Sequence, residues 1–316
     1  DGRRILAIST LALGLATALV PGVESLSALL VLFVAIGVAI GLIDVGSNTT
    51  LVWEFGERVP PYMNALHLSW GVGAFIAPLL VALLVASGAG ATATYWLLAA
   101  MMAPAALGLL LTPATSIPAT ADSAASPAVW RRNRTVILLI SVLFVFHVGA
   151  ELSFGGWIFS YASEAGLGSD TSAFVLNSVF WGGLVVGRLI AIPLSLRLSA
   201  RSMIWLDLAG AGLAVAVVVF FAEWQPAIWT GVALFGISIA SIFASCINYA
   251  GTRMPITSKV TSAFLVGASI GSMSLPWLTG VLFAAIGPPA LPYVVGTPIA
   301  LALVVFATIT RLRVHA

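Results

Sequence analysis

Charge is what this chain has least of. Only 8% of its 316 residues are Asp, Glu, Lys or Arg, against roughly 25% in soluble domains. Hydrophobic residues make up 60%, and the mean hydropathy is +1.12. Apolar residues surround each helical segment instead of forming a single stripe, which excludes an ordinary water-soluble domain. Cysteine is nearly absent. One residue, Cys246, lies in an apolar run, so a disulfide framework or a thiolate metal site within one chain is excluded. With 13 basic and 11 acidic residues the net charge is only +2, and no basic stripe forms, so nucleic acid is not an expected partner. Motifs of soluble catalysis are missing too. There is no phosphate-cradling Gly-rich loop with a Lys, no His-Glu-x-x-His and no Gly-x-Ser-x-Gly. Neither an enzyme nor an ATPase is expected. No cofactor is implied, and any pumping would draw on an ion gradient, of protons, with sodium left open.

What the chain does have is membrane-length apolar segments. Ten candidate spans fall at about 5–21, 26–53, 65–87, 92–112, 134–160, 172–196, 203–222, 226–250, 261–286 and 291–310, each near the roughly 20 residues that cross a bilayer. Residues 113–133 are rich in Pro, Ala, Ser and Thr and read as a flexible cytoplasmic linker. They separate an N-terminal bundle, 1–112, from a C-terminal six-helix bundle, 134–316. Apart from Arg188, the basic residues fall in alternate loops or at the ends, while the opposite loops carry Glu24, Glu164, Asp170 and Glu223. That asymmetry predicts a multi-pass protein with both ends of this chain in the cytoplasm. The lipid bilayer is thus one expected partner.

An internal repeat relates the two halves. At a constant offset of 198, Arg3 maps to Arg201, Gly73 to Gly271, Pro78 to Pro276 and Tyr95 to Tyr293. Parallel halves of this kind are a transporter plan. The spans 134–160 and 172–196 have no counterparts in the first half. The expectation is a parent of twelve spans, of which this chain carries ten.

Ionisable groups inside spans are costly and mark candidate sites. Asp44 and Asn48 are four residues apart and share a helix face. Asp44 lies about nine residues from the inner end, roughly 13 Å deep. It reads either as an acid that loads and releases a proton or as a neutral acid that packs a neighbouring helix. His147 and Glu151 are also four apart, among Gly149, Gly155 and Gly156, with Trp157 following. They form either a local packing pair or a site in which a carboxylate and a ring face meet a sugar. Asn64 and His67 read as a cap or interface near the cytoplasmic edge. Asn177, Trp181 and Arg188 share one face. Trp181 is placed to line a cavity, and Arg188 to pair with an acid or with carbonyls as part of a gate. Asp207, close behind Arg201, reads as a structural partner on that side.

These residues carry a family resemblance. Gly41-Leu-Ile-Asp44-Val-Gly-Ser-Asn48 resembles the fourth helix of the major facilitator superfamily, in particular its fucose–galactose–glucose–proton symporter group and related glucose transporters. Met63-Asn64-Ala-Leu-His67 with Gly71, Gly73 and Pro78 is similar to the fifth helix. His147-Val-Gly149-Ala-Glu151 with Gly156-Trp157 and Tyr161 is similar to the seventh. Phe180-Trp181-Gly182-Gly183 with Gly187-Arg188 is similar to the eighth. The whole chain matches as family helices three to twelve. Two positions depart from the pattern: Asp44 stands where the fucose permeases have Glu, and Thr49 where they have Pro.

The resemblance implies an all-α integral membrane protein with the superfamily's two-bundle fold. It implies proton-coupled symport of a hexose or related sugar by alternating access in the plasma (inner) membrane, by a monomer. Asp44, Glu151 and His147 are then the expected proton-coupling residues, and Asn48, Glu151, Trp157 and Trp181 the expected sugar contacts. Asn64, His67 and Arg188 are expected to gate or support. Two other readings stay open: a drug or metabolite proton antiporter of the same superfamily, and a membrane receptor that does not transport.

Overall fold

The computed structural model describes residues 2–55, 59–111 and 127–312, and among these it is helical with no strand. Eleven α-helices follow in order: α1 (Gly2–Leu19), α2 (Leu26–Phe55), α3 (Val59–Ala86), α4 (Gly90–Leu111), α5 (Pro127–Glu164), α6 (Asp170–Ser195), α7 (Ala200–Phe220), α8 (Gln225–Ile239), α9 (Ile242–Gly251), α10 (Ser258–Ile286) and α11 (Ala290–Arg311). They supply ten segments long and apolar enough to cross a membrane, with α8 and α9 forming one interrupted span, Gln225–Gly251. The offset repeat holds at the level of elements, since α1 to α4 recur as α7, α8–α9, α10 and α11. Pro78 inside α3 and Pro276 inside α10 fall at matching positions.

Helix starts and stops follow local chemistry. Ser169, Ser199 and Thr257 each accept a hydrogen bond from the backbone N–H three residues on, which caps α6, α7 and α10. Gly287, at φ 72°, closes α10 in a conformation that costs glycine little. Within the spans, hydroxyls such as those of Thr10, Ser141, Ser274 and Thr279 bond back to carbonyls of their own helix. In a bilayer no water satisfies them.

The chain divides into two compact units. The first comprises 1–70 and 80–121, the second 71–79 and 122–316. The bundles expected at 1–112 and 134–316 differ from this division chiefly in the segment 71–79 of α3, which joins the second unit. Of the stretch read as linker, residues 113–126 lie outside the described residues, and 127–133 form the first turns of α5.

In the first unit α1 packs against α2 and α4. Arg3 at the start of α1 grips Glu54 near the end of α2, its Nη2 donating to both carboxylate oxygens at 2.9 and 2.8 Å.

In the second unit α5 is central and packs against α6, α9, α10 and α11. Its core is aromatic: Phe154 lies 5.1 Å from Phe180 and 4.5 Å from Phe235, ring centre to ring centre. Glycines set the closest approaches. A Cβ at Gly267 or Gly271 would run into the backbone carbonyls of Ser141 and Val145 on α5. One at Gly187 would strike the carbonyl of Ile237 on α8. Both pairs of helices therefore touch backbone to backbone, as small-residue spacings of four allow.

Candidate functional site

Two groups of intramembrane polar residues emerge, one in each unit. In the first unit Asn48 turns back along α2. Its Nδ2 donates to the Asp44 carbonyl at 2.8 Å and to Asp44 Oδ1 at 3.2 Å. The four-residue spacing thus becomes a direct contact, with the amide holding the carboxylate's orientation. Asp44 is exposed on the surface of the chain and Asn48 is half-buried. His67 is exposed on α3, and the Asn64 side chain lies outside the described residues.

The second unit gathers the larger group. His147 is 1% exposed, and its Nε2 stands 3.6 Å from Glu151 Oε2 one turn on. Only 13% of the Glu151 side chain is exposed. His147 Nδ1 is buried with no hydrogen-bond partner. Arg188, from α6, acts electrostatically on both residues. A Cβ at Gly71 would stand 3.0 Å from Val185 and 3.8 Å from the Arg188 guanidinium, so this α3 glycine leaves room for the arginine. Burial puts a premium on such groupings, because an unpaired charge in a dry interior is expensive. The arrangement can exchange a proton between carboxyl and imidazole, hold one charge against the guanidinium, and offer hydrogen bonds to a polar solute.

The two tryptophans are held differently. Trp157 donates its indole N–H to the Pro276 carbonyl at 3.1 Å and packs 5.3 Å from Phe283. A Cβ at Gly280 would stand 2.9 Å from its ring, so that glycine makes room for the indole. Its polar end is committed to α10. Trp181 crosses Gly155 of α5, where an added Cβ would collide with its ring, and meets Phe180 at 4.7 Å. Asn177, one turn before Trp181, keeps a buried side-chain oxygen without a partner.

The structure therefore brings His147, Glu151 and Arg188 together and sets Trp181 on the same α5–α6 seam. Asp44 and Asn48 make their own pair. Sequence reading missed the association of Arg188 with Glu151 in particular, because i, i+4 spacing reports contacts along one helix and not across two. The glycines at 155 and 187, which let α6 approach its neighbours, were the available signal. Asp207, read as a structural partner near Arg201, takes its hydrogen bond from Ser241, between α8 and α9.

A multi-pass helical bundle of two related halves, with ionisable groups inside its spans, defines a class of polytopic membrane proteins. This chain belongs to the Major Facilitator Superfamily, whose sequence profile matches residues 1–258. Sodium-dependent glucose transporter 1 of Danio rerio is 27% identical over 294 residues, covering 80% of this chain and 49% of the relative. Its namesake in Xenopus laevis is 27% identical over 305 residues, covering 88% and 62%. The chain thus spans roughly half of the curated relatives it matches. Among solved structures, the Escherichia coli fucose:proton symporter aligns with a TM-score of 0.62 at 16% identity, over 98% of this chain and 84% of that one. A bacterial homologue of the iron transporter ferroportin, inward-facing, aligns with a TM-score of 0.63 at 16% identity, over 98% and 81%. At that identity the structural likeness speaks for the fold. The relatives are transporters, in keeping with a chain expected to be no enzyme.

Proposed function

We propose that the protein of this chain is a secondary-active transporter that carries a hexose or related sugar by alternating access, coupled to a proton gradient. The observation that carries this reading is the Glu151–His147–Arg188 group, an ionisable centre inside a membrane bundle that a passive scaffold would have no reason to keep. Relatives named as glucose transporters supply the sugar. In this reading Asp44 takes up the coupling proton while Asn48 orients it. Glu151 and His147 respond to charge in the second unit. Asn48, Glu151 and the ring faces of Trp157 and Trp181 meet the sugar. Asn64, His67 and Arg188 support or gate. The protein sits in the plasma membrane, with the ends of this chain in the cytoplasm.

The test is Asp44→Asn in the whole protein reconstituted in vesicles. Uphill sugar uptake driven by a proton gradient should be lost, while sugar counterflow, which needs no net coupling, should persist. Normal accumulation by the variant would remove Asp44 from the coupling mechanism. A second reading is sodium coupling, favoured by the names of the same relatives. Uptake that follows a sodium gradient at constant pH would establish it in place of the proton.

A further inference from the structure

The carboxylate of Asp207 belongs to neither group described above. It stands seven residues after the start of α7, about 10 Å along the span, and is 8% exposed. Among the described residues no basic side chain pairs with it, and its hydrogen bond comes from the hydroxyl of Ser241. Ser241 sits where the span is interrupted: α8 ends at Ile239 and α9 begins at Ile242. The break Ile239-Ala240-Ser241-Ile242 contains neither proline nor glycine, the usual causes of one.

The hydroxyl itself behaves unlike its neighbours. Among the described residues most bonded hydroxyls within the spans turn onto their own helix, whereas Ser241 donates to a carboxylate on another, as Ser163 at the end of α5 does to Asp170 at the start of α6. As the residue before α9 it occupies the N-cap position, where serine ordinarily accepts from an N–H of the first turn. It makes no such bond. The first turn of α9 is left without a side-chain cap, and the hydroxyl is committed to Asp207. The offset of 198 that relates the halves carries Asp44 to Ile242, the neighbour of Ser241. An acidic centre therefore recurs at the matching register of the matching span, with the acid supplied from the adjoining helix.

We propose that Asp207 is a proton-binding site of the second unit, read out by Ser241 at the break in its span. With the carboxylate ionised, the serine hydroxyl donates to it. Proton delivery from hydronium breaks one O–H bond there, leaves water, and makes one O–H bond on the carboxyl, which removes its need for that donor. The hydroxyl is then released from the carboxylate and free to bond elsewhere at the break, where the Ser241 backbone, at φ −104° and ψ −6°, is already helical. The other ionisable residues on the elements packed against α7 are Cys246 and Tyr249 on α9 and Tyr293 and Arg311 on α11; α8 has none, and Arg201 lies on α7 itself. One carboxylate and one hydroxyl suffice for a proton, whereas hard metal cations take a larger set of oxygens. The consequence for coupling rests on the transporter reading; the existence of the site does not.

Infrared difference spectroscopy of the protein in lipid, stepped between acid and alkaline pH in choline chloride, reads the group directly. The protonated-carboxyl band should be lost in Asp207→Asn and kept in Asp44→Asn. In Ser241→Ala it should persist with a displaced titration midpoint. Superimposable difference spectra of the wild type and Asp207→Asn would overturn the proposal. Should that variant fail to fold, Ser241→Ala decides, because an unmoved midpoint overturns it equally. A band that sodium chloride abolishes at constant pH, and choline chloride does not, would assign the site to sodium and overturn the proton. Sugar uptake enters none of these readouts, so failure of the transporter reading would leave the result standing.

Discussion

Glu151 shows both what one side chain can reveal in sequence and what it cannot. Its spacing from His147 made their contact readable, because a helix stacks residues four apart. Its relation to Arg188 depends on how closely α6 meets α5, and that is set by packing across the two helices at positions such as Gly155, where an added Cβ would strike Trp181. If the acid and the guanidinium are energetically coupled, removing one strands the other. Breaking a buried charge pair in this way costs about 3–5 kcal/mol. Glu151→Gln should therefore lower the thermal stability of the protein in detergent, and Arg188→Gln should do the same. The double variant should recover part of the loss. A thermal-unfolding double-mutant cycle should give a coupling of at least about 0.5 kcal/mol, the lower end for residues in contact. Additive losses would mean that the two act independently.

At the scale of elements, the spans were legible because hydrophobicity and length alone define a membrane helix. The interruption between α8 and α9 was not, since Ile239-Ala240-Ser241-Ile242 carries no breaker and the helix parts where a tertiary hydrogen bond claims Ser241. The α5–α10 contact lies between these cases. Gly267 and Gly271 form a small-residue spacing of four that sequence displays openly, but only the fold says which helix they meet. There the backbones of Ser141 and Val145 leave no room for a side chain. Gly271→Leu should cost more than the 1–3 kcal/mol typical of overpacking, because the obstacle is backbone and cannot rotate away. Gly212→Leu, on α7 where nothing stands within 4 Å of an added Cβ, should be neutral or should gain up to about 1 kcal/mol of helix propensity. Thermal melts of the two variants, read by intrinsic fluorescence, compare a helix seam with an open face at constant chemistry. Equal stability would show that the seam relaxes freely.

For the whole molecule, the distribution of rare charges carries more information than the abundant apolar residues. Apolar composition says that the chain crosses a membrane, and says nothing of direction. The repeat, read from Arg3, Gly73, Pro78 and Tyr95 and their counterparts, survives as four matching elements in each half. Arginine and lysine predict the direction, because basic residues concentrate in loops on the cytoplasmic side. The chain is well suited to a test of this, since its one cysteine, Cys246, is buried at 1% exposure and should give little background to a thiol reagent in water. Glu164, at the end of α5, and Arg201, at the start of α7, are both exposed and lie at opposite ends of α6 and its flanking loops. In intact cells a membrane-impermeant maleimide should label Glu164→Cys and leave Arg201→Cys untouched, and permeabilising the cells should expose the second. Labelling of Arg201→Cys from outside would invert the topology. The acid of Asp44, placed nearer the inner end of α2 by that topology, would then have to exchange its proton with the opposite compartment.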